Sequence, residues 1–232
     1  MEIIAGPCSV ESKEQIHSTI DFLTKLGVGY IRGGIWKYRS DPNTFQGADT
    51  EGLNWLIEAK EHLKFKYVLE VFDDIDTILA DDVADMYQVG SRNMCNTALL
   101  KQLNDLGKPV MLKRHYSASL REFAKHADYL KDVEVIMCLR GALSIHPNEQ
   151  RFVHDFADIP RLREMTDNKV CYDVSHSSCH VKYVPAAIRA AKIYKPDYMM
   201  MEVHPEPAQA LSDPDQQLNF DEFEQIYKKE LV

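Results

Sequence analysis

Short apolar segments alternate with amphipathic ones along this chain, and eight rounds of that alternation constrain its fold more than any other feature. Residues 3–8, 30–36, 67–72, 86–90, 109–113, 135–138, 169–174 and 198–201 read as strands, being short and rich in aliphatic and aromatic side chains. Helical periodicity follows each one. Residues 13–26 place Ile16, Ile20, Leu23 and Leu26 on one face, Asp49 opens a second helix, and 74–80 form a short third. Asn96 caps a helix that ends at Gly107, and 119–130, 159–165, 184–193 and 221–230 complete the series. Strands separated by helices run parallel, and eight of them close a barrel. The expected fold is therefore α/β: one (β/α)8 TIM barrel over residues 1–232, a single catalytic domain with no regulatory extension. An open doubly wound sheet usually has fewer strands and a glycine-rich first turn, and the chain contains no G-x-G-x-x-G.

A length of 232 residues and a hydrophobic fraction of 45% suit such a barrel. No run is long enough to span a bilayer, and no basic-then-apolar leader opens the chain. Five cysteines without paired spacing point to a reducing compartment, so a cytoplasmic protein is expected. The net charge of −9 argues against a nucleic-acid partner. It also makes any local cluster of cations purposeful.

A (β/α)8 barrel carries its active site at the C-terminal ends of its strands. Read in order, those ends form two chemical groups. The first is cationic: Arg32, Lys37, Arg39, Arg92, Lys113 and Arg140. A single arginine is usually a solvated charge, but six cations at one barrel mouth repel one another unless an anion compensates. Phosphates and a carboxylate are the natural ligands. The second group is Cys8, His176, Glu202 and Asp213. A lone cysteine is more often a small packing residue. Combined with an imidazole and two carboxylates, a thiolate suits a divalent transition metal, without selecting among Mn, Fe, Co, Zn and Cu. His204 is a candidate supporting residue for that set. Cys171, Cys179 and His180 match no paired zinc spacing, Met165, Met199, Met200 and Met201 read as core, and Cys95 and Cys138 as buried packing residues.

The ordered motifs A-G-P-C-S, R-G-G-x-x-K-x-R-S, G-x-R-N, L-K-R, L-R-G, D-x-S-H and M-E-V-H-P-x-P-x-x-A-L-S-D run from Ile4 to about Phe223. In these the chain resembles the class I 3-deoxy-D-arabino-heptulosonate-7-phosphate (DAHP) synthases. It is most similar to the compact subgroup that includes relatives of 3-deoxy-manno-octulosonate-8-phosphate (KDO8P) synthase. The resemblance implies a barrel that condenses phosphoenolpyruvate with erythrose 4-phosphate and releases phosphate, at the first step of the shikimate pathway. It implies metal ligands at Cys8, His176, Glu202 and Asp213, with Mn, Fe, Co or Zn as the cofactor. Phosphoenolpyruvate contacts fall on Arg32, Lys37, Arg92, Lys113 and Arg140, and aldose phosphate contacts on Arg39 and Ser40. Lys37, His176 and Asp213 are the expected catalytic residues, with Lys37 placed for proton transfer.

KDO8P synthases, which use arabinose 5-phosphate, carry a K-A-N-R-S pattern with one more residue between lysine and arginine. Lys37-Tyr38-Arg39 has the spacing of the K-P-R-T pattern instead, which favours the shorter sugar. The chain departs from its family at Tyr38, Ser40, Leu139 and Val174, and it lacks glycines from Ser177 to His180. These departures bear on aldose preference more than on phosphoenolpyruvate. A catalytically weak paralogue that binds a phosphorylated metabolite is the alternative of a different class. The sequence also leads us to expect a homo-oligomer, no membrane partner, and insensitivity to phenylalanine, tyrosine and tryptophan.

Overall fold

A computed structural model describes residues 1–148 and 150–231. The strands are β1 (Glu2–Gly6), β2 (Tyr30–Arg32), β3 (Lys66–Val71), β4 (Met86–Val89), β5 (Val110–Lys113), β6 (Val135–Leu139), β7 (Ala142–Leu143), β8 (Phe152–Val153), β9 (Lys169–Asp173) and β10 (Tyr198–Glu202). All but β7 and β8 close into a parallel barrel in the order β1-β10-β9-β6-β5-β4-β3-β2. The ring is sealed where β1 pairs with both β10 and β2. The helices α1 (Lys13–Lys25), α2 (Asp49–His62), α3 (Asp74–Ala80), α4 (Thr97–Leu106), α5 (Leu120–Ala127), α6 (Asp158–Arg163), α7 (Val174–Ser178), α8 (Val184–Ile193) and α9 (Phe220–Ile226) fill the intervals. Ser12, Asn96 and Ser119 cap α1, α4 and α5 by accepting a backbone N–H three residues on. Gly107 ends α4 with a φ of 80°. This is the (β/α)8 architecture expected from the alternation.

Side chains alternate across each strand, and the barrel interior changes character along its axis. Ile4, Val68, Met86, Met111, Ile136, Cys138, Cys171, Tyr198 and Met200 pack into one inner cluster. Met199 and Met201 point the other way, into the layer between strands and helices. Two residues further along, inward positions turn polar: Glu70 follows Val68, Gln88 follows Met86, and Lys113 follows Met111. Arg140 follows Cys138, Asp173 follows Cys171, and Glu202 follows Met200. The apolar half is a packed plug, and the polar half opens as a cavity at the C-terminal end.

Several local expectations need correction. The first strand stops at Gly6 and the second at Arg32, short of residues 8 and 36. Gly6 has a φ of 150°, and a Cβ there would lie 2.0 Å from the Arg32 carbonyl oxygen. The two backbones approach so closely that only glycine fits, and beyond it a single bridge joins Ser9 to Gly34. Cys95 is exposed rather than buried. Met165 is 52% exposed, not core, because it follows α6 rather than facing the sheet. The long connection after Gly141 holds the antiparallel β7–β8 hairpin, with Leu143 paired to Phe152.

Candidate active site

The cavity at the C-terminal end of the barrel has a volume of about 440 Å³. It is lined by Cys8, Arg32, Lys37, Arg39, Ser40, Arg92, Lys113, Arg140, His176, Glu202 and Asp213, the residues expected as metal ligands and substrate contacts, whereas His204 does not line it.

Cys8, Glu202 and Asp213 form its acidic centre. One ligand atom from each lies within 4.8 Å of the others. The Cys8 thiol donates to Asp213 Oδ2 at 3.1 Å. His176 stands just outside this trio, its Nε2 3.9 Å from Glu202 Oε1. The geometry is over-determined. Cys8 N–H donates to Gln217 Oε1 at 2.9 Å, and Gln217 Nε2 donates to the Ser212 carbonyl at 2.8 Å. One buried glutamine thus ties the end of β1 to the loop carrying Asp213. The Ser9 and Ser212 hydroxyls add a second tie at 2.6 Å. Asp213 itself sits in the left-handed region at φ 43°, an uncommon conformation held by this network.

The residues fit a cation. Glu202 is fully buried, and its Oε2 has no hydrogen-bond partner among the described residues. Such an orphaned carboxylate oxygen is costly unless something positive meets it. Burial, helped by Glu202, pushes the Cys8 thiol up to about 12, so in this arrangement the sulfur keeps its proton. A divalent ion would replace that proton. Burial also lowers the His176 imidazole despite the pull of Asp173, which favours the neutral, ligating form.

The cations divide into two classes. Some already hold a partner. Arg32 Nη1 donates to Glu202 Oε1 at 2.6 Å, and Lys113 Nζ donates to Asp173 Oδ2 at 2.7 Å. His176 Nδ1 also lies 2.7 Å from Asp173 Oδ2, so Asp173 fixes a lysine and an imidazole together. Although burial opposes it, His176 and Lys113 hold the Asp173 carboxyl well below the usual range. Lys37 Nζ reaches both the sulfur and the carbonyl oxygen of Cys8 at 3.2 Å. Burial would lower the Lys37 ammonium, but Cys8 and Glu70 raise it, so it stays charged.

The second class has no carboxylate partner among the described residues. Arg92 lies over the Tyr38 ring at 5.1 Å, and Arg140 over the Phe152 ring at 4.4 Å. Arg140 is 6% exposed, and burial lowers its guanidinium. Arg39 and Ser40 stand at the exposed rim, with Arg39 Nε donating to Thr44 Oγ1 at 3.2 Å. His204 takes no part in the ligand set. Its Nε2 lies 3.4 Å from Glu11 Oε2, and its Nδ1 accepts from the Glu206 N–H. Sequence reasoning did not pick out Gln217, Glu70, Gln88 or Arg151 as parts of the site. Glu70 and Gln88 had a signal, each lying two places beyond a plugging apolar residue. Gln217 had none.

The profile of the DAHP synthetase I family matches residues 1–231. The phospho-2-dehydro-3-deoxyheptonate aldolase of Thermotoga maritima is 36% identical over 230 residues, 98% of this chain and 68% of that protein. The crystal structure of that Thermotoga maritima DAHP synthase superposes with a TM-score of 0.93 at 35% identity, over 99% of this chain and 68% of the other. A truncated form of the Thermotoga maritima synthase gives 0.88 at 33% identity, over 99% of this chain and 84% of the other. A 2-dehydro-3-deoxyphosphooctonate aldolase from Azoarcus sp. is more distant, at 27% identity over 91% of this chain and 82% of that protein. With its barrel, its cation-lined mouth and this similarity along its length, the chain belongs to the DAHP synthetase I family.

Proposed function

We propose that this chain condenses phosphoenolpyruvate with erythrose 4-phosphate to give DAHP and inorganic phosphate, the entry to aromatic amino acid biosynthesis. The observation that carries the reading is the sorting of charges. Arg92 and Arg140 line the mouth without carboxylate partners among the described residues, beside a donor set of Cys8, Glu202 and Asp213 with His176 adjacent. That arrangement takes a phosphate and a reacting carbonyl side by side.

Arg92 and Arg140 hold the phosphate of phosphoenolpyruvate, and Lys113, anchored on Asp173, faces its carboxylate. Arg32 lines the same wall and keeps Glu202 aimed at the donor set. Arg39 and the Ser40 hydroxyl take the phosphate of the aldose at the rim. C3 of phosphoenolpyruvate bonds to the aldehyde carbon, water adds at C2, and the C2–O bond to phosphate breaks. Cys8, His176, Glu202 and Asp213 would hold a divalent transition metal (Mn, Fe, Co or Zn), which would supply Lewis-acid polarisation of the aldehyde oxygen. Lys37, charged and beside Cys8, delivers a proton to that oxygen as negative charge develops on it. The fixed cations stabilise that charge without reorganising, and alignment of the two substrates supplies further acceleration.

Steady-state phosphate release with each aldose tests the assignment. The Lys37-Tyr38-Arg39 spacing supports a higher specificity constant for erythrose 4-phosphate, and a higher constant for arabinose 5-phosphate would overturn it. A cytoplasmic homo-oligomer belongs to the same reading. Leu143, Ile145 and Val153 expose apolar surface along the β7–β8 connection. Light scattering at micromolar concentration is expected to give a multiple of the 26.7 kDa chain mass, and a monomer would contradict it.

A further inference from the structure

The β7–β8 hairpin brings a cation to the mouth that no strand end supplies. Arg151 immediately precedes β8 and lines the same cavity as Arg140. The hairpin is held at its root and along its length. Gly141 N–H donates to Asp155 Oδ1 at 2.9 Å, Leu143 N–H to the Tyr116 carbonyl at 2.9 Å, and Ser144 N–H to the Arg151 carbonyl at 3.1 Å. The Arg151 guanidinium lies 4.8 Å from the centre of the Phe152 ring, and the Arg140 guanidinium lies 4.4 Å from the same centre. Phe152 is buried.

Two guanidiniums on one ring repel each other, and the ring orients them without neutralising either. The buried arginines Arg32 and Arg114 are neutralised by carboxylates: Arg32 has Glu202, and Arg114 has Asp155 and Asp158. Neither Arg140 nor Arg151 has an ion pair or side-chain hydrogen bond among the described residues, and the Arg140 Nε is buried without a partner. Arg151 is exposed and solvated at the mouth, but the buried Arg140 can receive a compensating anion only from the cavity that both line. A phosphate monoester carries up to two charges and several acceptor oxygens, enough for two guanidinium forks.

We propose that Arg151 is a further substrate-binding residue, closing with Arg140 across the Phe152 ring on the phosphate of phosphoenolpyruvate. The proposal rests on the reaction assigned above. It gives the hairpin a role: an arm that completes the phosphate site from outside the barrel.

The test is calorimetric titration of phosphoenolpyruvate into the metal-loaded protein without aldose, followed by steady-state kinetics. R151A is expected to raise the dissociation constant and the KM for phosphoenolpyruvate about tenfold, a charge-assisted contact reduced by solvent screening. The aldose KM should stay within twofold, and R151K, which keeps the charge and loses the fork, should recover part of the loss. R140A is the reference and should weaken phosphoenolpyruvate at least as much. If R140A weakens binding while R151A stays within twofold of the parent, the role of Arg151 is overturned and the reaction stands. If R151A moves only the aldose KM, the phosphate has been assigned to the wrong substrate and the proposal falls. If the parent itself does not bind phosphoenolpyruvate, the reaction assignment fails first.

Discussion

Tyr38 occupies a position where the family pattern has proline, and its ring now has a visible task. It lies 5.1 Å beneath the Arg92 guanidinium and packs against Phe72 at 6.0 Å. The tyrosine thus steadies a cation that no carboxylate among the described residues holds. An exposed cation–π contact contributes about 0.5–1 kcal/mol, equivalent to a two- to fivefold change in binding. Tyr38→Ala should raise the KM for phosphoenolpyruvate by that factor, whereas Tyr38→Phe should not. Equal effects of both variants would show that the hydroxyl, not the ring, matters. Arg39 gives a contrasting expectation. It stands at the rim, and losing a charge-assisted phosphate contact costs about 1.5–3 kcal/mol. Arg39→Ala should therefore raise the aldose KM about ten- to a hundredfold and leave phosphoenolpyruvate nearly unchanged; a larger shift in the KM for phosphoenolpyruvate would contradict this. At this scale the sequence displayed residue types at strand ends. It did not display which charges neutralise which. Arg32 and Glu202 are 170 residues apart, and Gln217 reaches Cys8 across 209. Pairings that distant leave no local pattern.

The elements divide in the same way. Short runs of aliphatic and aromatic side chains made the barrel strands legible, and period-3.6 faces with Asn96 as a cap made the helices legible. Strand ends were misjudged where glycines let two backbones meet, as at Gly6. The β7–β8 hairpin escaped notice because strands of two residues carry no periodicity. The hairpin also carries a pH signature. Burial pushes the Asp155 carboxyl up to about 6, against Arg114 and the Gly141 N–H. An unfolded aspartate titrates near 4. Folding is therefore most favourable for this group when it is protonated, and that contribution fades as pH rises through about 6. Asp155→Asn keeps an acceptor for Gly141 and cannot ionise. Relative to the parent, it should gain up to about 3 kcal/mol of stability between pH 4 and pH 7, read as a widening gap in melting temperature. A gap that narrows with pH would reverse the assignment. The short helix α7 offers a second test. It ends at Cys179 with φ 60°, where the family has glycines and an L-residue is strained. Cys179→Gly should stabilise the protein by about 1 kcal/mol and raise its melting temperature by about 2–4 °C. A lower melting temperature would show that the side chain contributes more than the strain costs.

Across the whole molecule, an acidic chain with a net charge of −9 places Arg92, Arg140 and Arg151, which have no carboxylate partner among the described residues, at one end of a barrel whose other end is an apolar plug. The inner wall changes from Met, Ile and Val to Lys, Arg, Asp and Glu within two residues on most strands. Anions are drawn to one place, and there they meet the donor set of Cys8, Glu202 and Asp213 with His176 beside it. The account requires both parts together: cations for the phosphates and a divalent ion for the aldehyde. The most direct measurement follows phosphate release from phosphoenolpyruvate in exhaustively chelated protein, before and after adding erythrose 4-phosphate and then a divalent transition metal. The account predicts release only when aldose and metal are both present, and loss of that restored activity in Cys8→Ala with the fold intact. Full turnover in the chelated protein, or none in the metal-loaded protein with both substrates, would contradict it.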